Sequence, residues 1–164
     1  MDPIREKKHR LPREAYQGQV TVNITACINE RKMPFYEANI VQTFLNKLEQ
    51  AAHKHRCLIV IYCFMPDHLH LLVHGIDHTA DTWRTMVDFK QQTGYWFARE
   101  RNEFSWQKDF HDHIIRSNKD LAAHIRYIAN NPVRRGLVAD WHEYPFTGAV
   151  GIDLHQVMAD TATL

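Results

Sequence analysis

The stretch Met65-Pro66-Asp67-His68-Leu69-His70-Leu71-Leu72 limits the fold more than any other part of this chain. It joins one apolar run, residues 57–65, to a second, residues 68–74, through the turn-forming pair Pro66-Asp67, which predicts two paired strands. Side chains alternate faces along a strand, so His68 and His70 point one way while Leu69 and Leu71 point the other. One face can pack on a core. The other offers two imidazoles side by side, a pair able to hold a metal and equally able to be a hydrogen-bonded structural pair.

The rest of the chain supplies elements for that hairpin to join. Residues 18–28 alternate apolar and polar with β-branched enrichment, predicting a strand with one buried face. Ile40, Val41, Phe44, Leu45, Leu48 and Ala52 recur at helical spacing over 37–55. A long aromatic-rich helix is expected over 79–103, with Gly94 as its weak point, and a fourth strand over Trp106–Arg116. Ser117 or Asn118 can cap a helix from Lys119 to about Asn130, stopping before Pro132. The order β-α-β-β-α-β-α resembles an α+β, ferredoxin-like (RRM-like) antiparallel sheet with helices packed on it, plus one added C-terminal helix. Residues 1–17 read as a basic N-terminal arm, 18–138 as the domain, and 139–164 as an acidic C-terminal extension without assigned structure.

At 164 residues the chain is one domain, long enough to bury a core without disulfides or metal. Cys27, Cys57 and Cys63 are odd in number and lack paired metal spacing, as expected of reduced thiols in a cytoplasmic protein. No apolar run approaches the ~18 residues of a membrane helix, so no membrane partner is expected. Net charge is only +1, but residues 136–164 hold Asp140, Glu143, Asp153 and Asp160 and no Lys or Arg, leaving the remainder at +5. Arg5, Lys7, Lys8, Arg10 and Arg13 cluster near the N-terminus, and Arg126, Arg134 and Arg135 near the last predicted helix. Such patches suit a phosphate-bearing partner, or are simply solvated faces.

Chemistry enters with Tyr127-Ile128-Ala129-Asn130-Asn131-Pro132. Tyr127 and Asn131 are i, i+4 on the predicted helix and share a face. If that helix covers the sheet face bearing His68 and His70, a phenol, a carboxamide and two imidazoles converge. Two His and one Asn leave coordination positions open, as a catalytic metal requires. Phosphate oxygens could complete an octahedral shell around Mg or Mn. A phenol becomes a nucleophile when its proton is removed, and its attack on a phosphodiester would give a covalent phosphotyrosine. Tyr95 is a rival, but position 99, four residues on, is Arg rather than an amide. His111 and His113 repeat the His-x-His spacing beside Asp109 and Asp112, either supporting the site or lying at the surface, and Asp67 either orients a histidine or only makes the turn. His74 and His78 fit no ligand pattern.

Met65–Leu72, Trp106–Arg116 and Tyr127–Val138 together resemble the HUH single-tyrosine transposases of the IS200-like group, above all the REP-associated tyrosine transposase branch. The resemblance spans roughly residues 18–138. It implies a metal-dependent nickase and strand transferase acting on single-stranded DNA beside a hairpin or imperfect palindrome. His68 and His70 match the family's metal-binding histidines and Tyr127 its DNA-attacking tyrosine. Asn131 falls at the third, amide-bearing ligand, often Gln in the family. Arg134 and Arg135 are candidates for phosphate contacts, Arg10 and Arg13 for reaching a hairpin groove. Insertion-sequence relatives are homodimers that exchange the tyrosine helix, whereas the REP-associated branch can act as a monomer. Two other readings stand beside this one: a catalytically silent nucleic-acid-binding module, and a phosphodiester hydrolase in which the histidines activate water.

Overall fold

The computed structural model describes residues 10–163; Arg5, Lys7 and Lys8 of the basic stretch lie outside the described residues. The nine-residue apolar run becomes strand β2 (Cys57–Met65) and the histidine-bearing run β3 (His68–Gly75), paired antiparallel so that Met65 faces His68 across a two-residue turn. Strand β1 (Thr21–Cys27) pairs with the other side of β3, and β4 (His111–Ile115) with the outer side of β1. A fifth strand, β5 (Thr147–Val150), adds to β2 and gives the order β4-β1-β3-β2-β5, antiparallel throughout. Its first four members have the ferredoxin-like order that the β-α-β-β-α-β pattern predicts.

Helices α1 (Ala38–Lys54) and α2 (Thr82–Glu100) cover one face of this sheet. The periodic residues Ile40, Val41, Phe44 and Leu48 are all buried there, and Phe44 lies within 6.2 Å, centroid to centroid, of the rings of Phe35, Phe89, Trp96, Phe97 and Trp106. The Trp106 indole donates to Thr93 Oγ1 at 2.8 Å, so its one polar atom is not left bare. Ile24, Phe64, Leu69 and Leu71 supply the sheet's half of this core. On the other face, α3 (Asn118–Arg134) and the short α4 (Leu154–Thr161) pack through Ile125, Ile128, Ala129 and Val157 onto Ile61, Cys63, Met65 and Leu72. Strand β3 is thus covered on both sides, which explains its nearly unbroken apolar run.

Four expectations need correction. Strand four is shorter than Trp106–Arg116, because Trp106 turns into the aromatic core and makes only an isolated bridge to Ile28. Helix α3 does not stop before Pro132 but carries it in its last turn. Proline's missing N–H removes one hydrogen bond there, while Arg135 N still donates to Asn131 O at 3.0 Å and closes the end. The acidic extension, to which the sequence assigns no structure, holds two elements: β5 completes the sheet and α4 lies beside α3, with Arg126 donating to Thr161 O at 3.0 Å. The described part of the basic stretch packs onto the body rather than projecting. Tyr16 is buried with its hydroxyl on Asp112 at 2.6 Å, and burial together with that carboxylate pushes its ionisation up to about 12.

Candidate functional site

The site forms where α3 crosses β3 and β1. His68 and His70 alternate with Leu69 and Leu71, so both imidazoles emerge on the α3 side while the leucines enter the aromatic core. Their rings stand perpendicular with the two Nε2 atoms 3.1 Å apart, and both residues are buried. Each ring is held from behind. Asp67 Oδ1 lies 2.7 Å from His68 Nδ1, and Thr25 Oγ1, opposite His70 in the strand register, lies 3.0 Å from His70 Nδ1. Outer partners of this kind fix the tautomer and aim Nε2 at a common point. Asp67 is therefore more than a turn residue.

The electrostatics keep this pair neutral. Burial, with the neighbouring imidazole, Arg134 and Arg135 acting in the same sense, pushes His70 down to about 3. Burial also lowers His68, against the opposing pull of Asp67. Burial alone would raise the Asp67 carboxyl, but His68 and Arg31 outweigh it and hold the group below the usual carboxylate range. Both imidazoles are therefore neutral at neutral pH, the form a metal takes.

Helix α3 supplies the remaining groups by its repeat. Tyr127 and Asn131 lie one turn apart, and Arg134 follows on the same side. Asn131 is buried, with Nδ2 3.4 Å from His68 Nε2 and Oδ1 accepting from Arg134 at 3.0 Å. The Tyr127 ring stands nearly perpendicular to His70 at 6.2 Å, yet the residue is 55% exposed. The Arg134 guanidinium lies 3.9 Å over the Tyr127 ring and also donates to Tyr127 O at 3.1 Å. A cavity of about 240 Å³ is lined by Thr25, Cys27, Arg31, His68, His70, Tyr127, Asn131, Arg134 and Arg135.

Of the expected site residues, the structure brings together His68, His70, Tyr127, Asn131, Arg134 and Arg135. It does not bring Arg10 or Arg13 there. Arg10 donates to Phe110 O at 3.1 Å and lies 4.4 Å over Trp83, while Arg13 sits 3.7 Å from Asp81. Both residues belong to the α2 side. The sequence reading missed Thr25 and Arg31. Thr25 was detectable as a polar position on the face opposite Ile24 and Ala26; Arg31 was not. It reaches Asp67 at 3.3 Å only because Glu30 and Arg31 adopt left-handed backbone, at φ 58° and 55°. Tyr95 is more exposed still but neighbours Arg99 rather than a histidine.

A family model described as "Transposase IS200 like" matches residues 16–131, and the chain belongs to that family, whose members are DNA-cleaving and rejoining enzymes. Two curated relatives carry the description REP-associated tyrosine transposase. One, from Haemophilus influenzae, is 28% identical over 124 residues, covering 68% of this chain and 70% of the relative. The other, from Escherichia coli, is 33% identical over 86 residues, covering 51% and 48%. A solved structure of a REP-associated tyrosine transposase bound to a REP hairpin superimposes with a TM-score of 0.72 at 22% identity, over 85% of this chain and 81% of that one, and so shares the fold. Among the described residues no helix is long and apolar enough to cross a membrane.

Proposed function

We propose that this chain is a metal-dependent nickase and strand transferase for single-stranded DNA, with Tyr127 as nucleophile and His68, His70 and Asn131 as metal ligands. The observation that carries the reading is the packing of one helix face, Tyr127 and Asn131, over a buried histidine pair with converging Nε2 atoms. The donor set fits a divalent cation: two imidazoles held neutral, one carboxamide, and a solvent-open side for phosphate oxygens. Mg or Mn bound there would polarise the scissile phosphodiester and offset its developing charge.

The chain's own residues do the rest. The Tyr127 hydroxyl gives its proton to solvent, which also supplies the proton the leaving oxygen takes, and the phenolic oxygen bonds to phosphorus. The bond from phosphorus to the 3′ oxygen breaks, and that oxygen leaves as a hydroxyl after taking a proton. The product is a 5′-phosphotyrosine that a later 3′ hydroxyl can attack, restoring Tyr127 and the DNA strand without ATP. Arg134 clamps the tyrosine ring from above and sets the Asn131 amide, while Asp67 and Thr25 hold the imidazoles. For Asn131 to offer its oxygen to a metal the amide must turn over, which takes the acceptor from Arg134 and frees that guanidinium for a phosphate. Arg31 and Arg135 line the same cavity and suit the DNA backbone.

The hairpin-bound structural neighbour supports a DNA hairpin as the recognised partner. Because Tyr127 stands over the histidines of its own chain, a single copy supplies the whole constellation, which favours action as a monomer. The deciding experiment incubates the protein with hairpin-bearing single-stranded DNA and Mn, followed by a denaturing protein gel. A nuclease-sensitive covalent band, absent in Tyr127→Phe and in excess EDTA, is expected. Cleaved DNA with no band would favour the water-activating hydrolase, and tight binding with neither would favour the silent binding module.

A further inference from the structure

A second group of ligand-type side chains lies further along α3, outside the cavity around His68. His113 on β4 and His124 on α3 hold the Asp120 carboxylate between them, with His113 Nε2 3.3 Å from Oδ2 and His124 Nε2 3.2 Å from Oδ1. The two rings stack at 5.3 Å between centroids and 27° between planes, and the three ligand atoms all lie within 4.8 Å of one another. Three elements place them. The β1–β4 register sets His113 beside Asn23, Ser117 caps α3 by accepting from Asp120 N at 3.1 Å, and Asp120 and His124 are one turn apart.

We infer that His113, Asp120 and His124 form a second metal site, for a zinc-class divalent ion, bracing α3 against β4. Two imidazole nitrogens and one carboxylate oxygen are the donor set of such ions, and three protein ligands leave a fourth position for water. The carboxamide behind His124 supports this. Asn23 Nδ2 lies 3.1 Å from His124 Nδ1, while Asn23 Oδ1 is buried without a hydrogen-bond partner. Neither orientation of that amide satisfies both of its ends, so what sits at Nε2 selects the tautomer. A carboxylate alone draws an Nε2–H, whereas a metal draws the lone pair and turns Asn23 Oδ1 toward Nδ1–H, the outer partner a metal-bound imidazole commonly has. His124 precedes Tyr127 by three residues on the same helix face, so an ion here would anchor the helix that carries the nucleophile. This proposal does not depend on the role given to Tyr127.

The test is calorimetric titration of the full chain, free of any polyhistidine tag, with Zn²⁺ at pH 7.5. Wild type is expected to take up two ions and His68→Ala/His70→Ala one. His113→Gln and His124→Gln should each remove one ion from wild type while leaving the histidine-pair site filled. Asn23→Ala should keep the ion but weaken it ~10–100-fold, the usual cost of losing an outer partner. His113 is exposed, so its variant tests the site without threatening the fold; circular dichroism checks this. If His113→Gln and His124→Gln both match wild type in stoichiometry and affinity, the proposal is overturned. If wild type binds a single ion that His113→Gln abolishes, this site stands and the histidine-pair site fails for zinc.

Discussion

The two faces of the sheet are built to different ends. Beneath α1 and α2 the contacts are phenyl and indole rings packed around Phe44, with the Trp106 indole N–H satisfied. Beneath α3 the middle of the face is given to two histidines, an asparagine and an arginine clamp, and the apolar packing retreats to Ile125, Ile128 and Ala129 on one flank. Burying imidazoles and amides without full sets of partners costs free energy that aromatic packing does not. One face can carry stability, so the other can hold polar groups in fixed positions.

The largest effect that would test this division is chemical. Tyr127→Phe removes a half-exposed hydroxyl and should abolish covalent adduct formation and cleavage, while the unfolding midpoint in urea stays within error of wild type. A large loss of stability would mean that Tyr127 is a packing residue. On the opposite face, Phe44→Ala opens a cavity among five aromatic neighbours and should cost about 3–5 kcal/mol in urea unfolding. A cost below about 1 kcal/mol would show that the aromatic face is not the main store of stability.

Arg134 separates the two roles within one residue. Arg134→Ala leaves the fold but frees the Tyr127 ring, and misplacement of this kind costs about 100-fold in rate. Arg134→Lys keeps the charge but loses the planar fork that bridges ring, carbonyl and amide, so it should recover DNA binding without recovering rate. Equal recovery of both would reduce Arg134 to a phosphate contact.

Much of this arrangement was legible in the sequence because it follows from local periodicity. Strand β2 has the bounds that its apolar run implies, the alternation in β3 placed both histidines on one face, and the i, i+4 spacing placed Asn131 with Tyr127. What escaped was set by distant contacts. Pro132 reads as a stop, yet the helix continues because Asn131, which a following proline pushes away from helical geometry, is held by His68 and Arg134. Strand β5 is four residues long with no alternation, and its Gly148 is required by the Tyr62 hydroxyl, which occupies the place of a Cβ. Arg31 enters the site through a left-handed turn that no neighbouring residue announces. The clamp formed by Arg134 depends on a helix end that the proline obscured.

The smallest expected effect bears on the cost of the polar face. The His70 imidazole ionises near pH ~6.5 in the unfolded chain but only at about 3 in the fold, where burial and the adjacent cations oppose its charge. Between these values the unfolded state binds more protons, so stability falls as the pH drops from about 6.5 toward 3, by at most about 1.4 kcal/mol per pH unit from this group. His70→Gln removes this group's titration and should reduce the slope between pH 6.5 and 5, measured by urea unfolding in EDTA, while His68 and His74, also lowered by burial, keep their share. Asp67 also loses stabilising charge in acid, but below the range of that comparison, because its carboxyl is held under the usual value. An unchanged slope in His70→Gln would mean that the imidazole already takes up its proton inside the fold. The α3 face would then tolerate charge beneath it, and burial would not be what keeps the pair neutral.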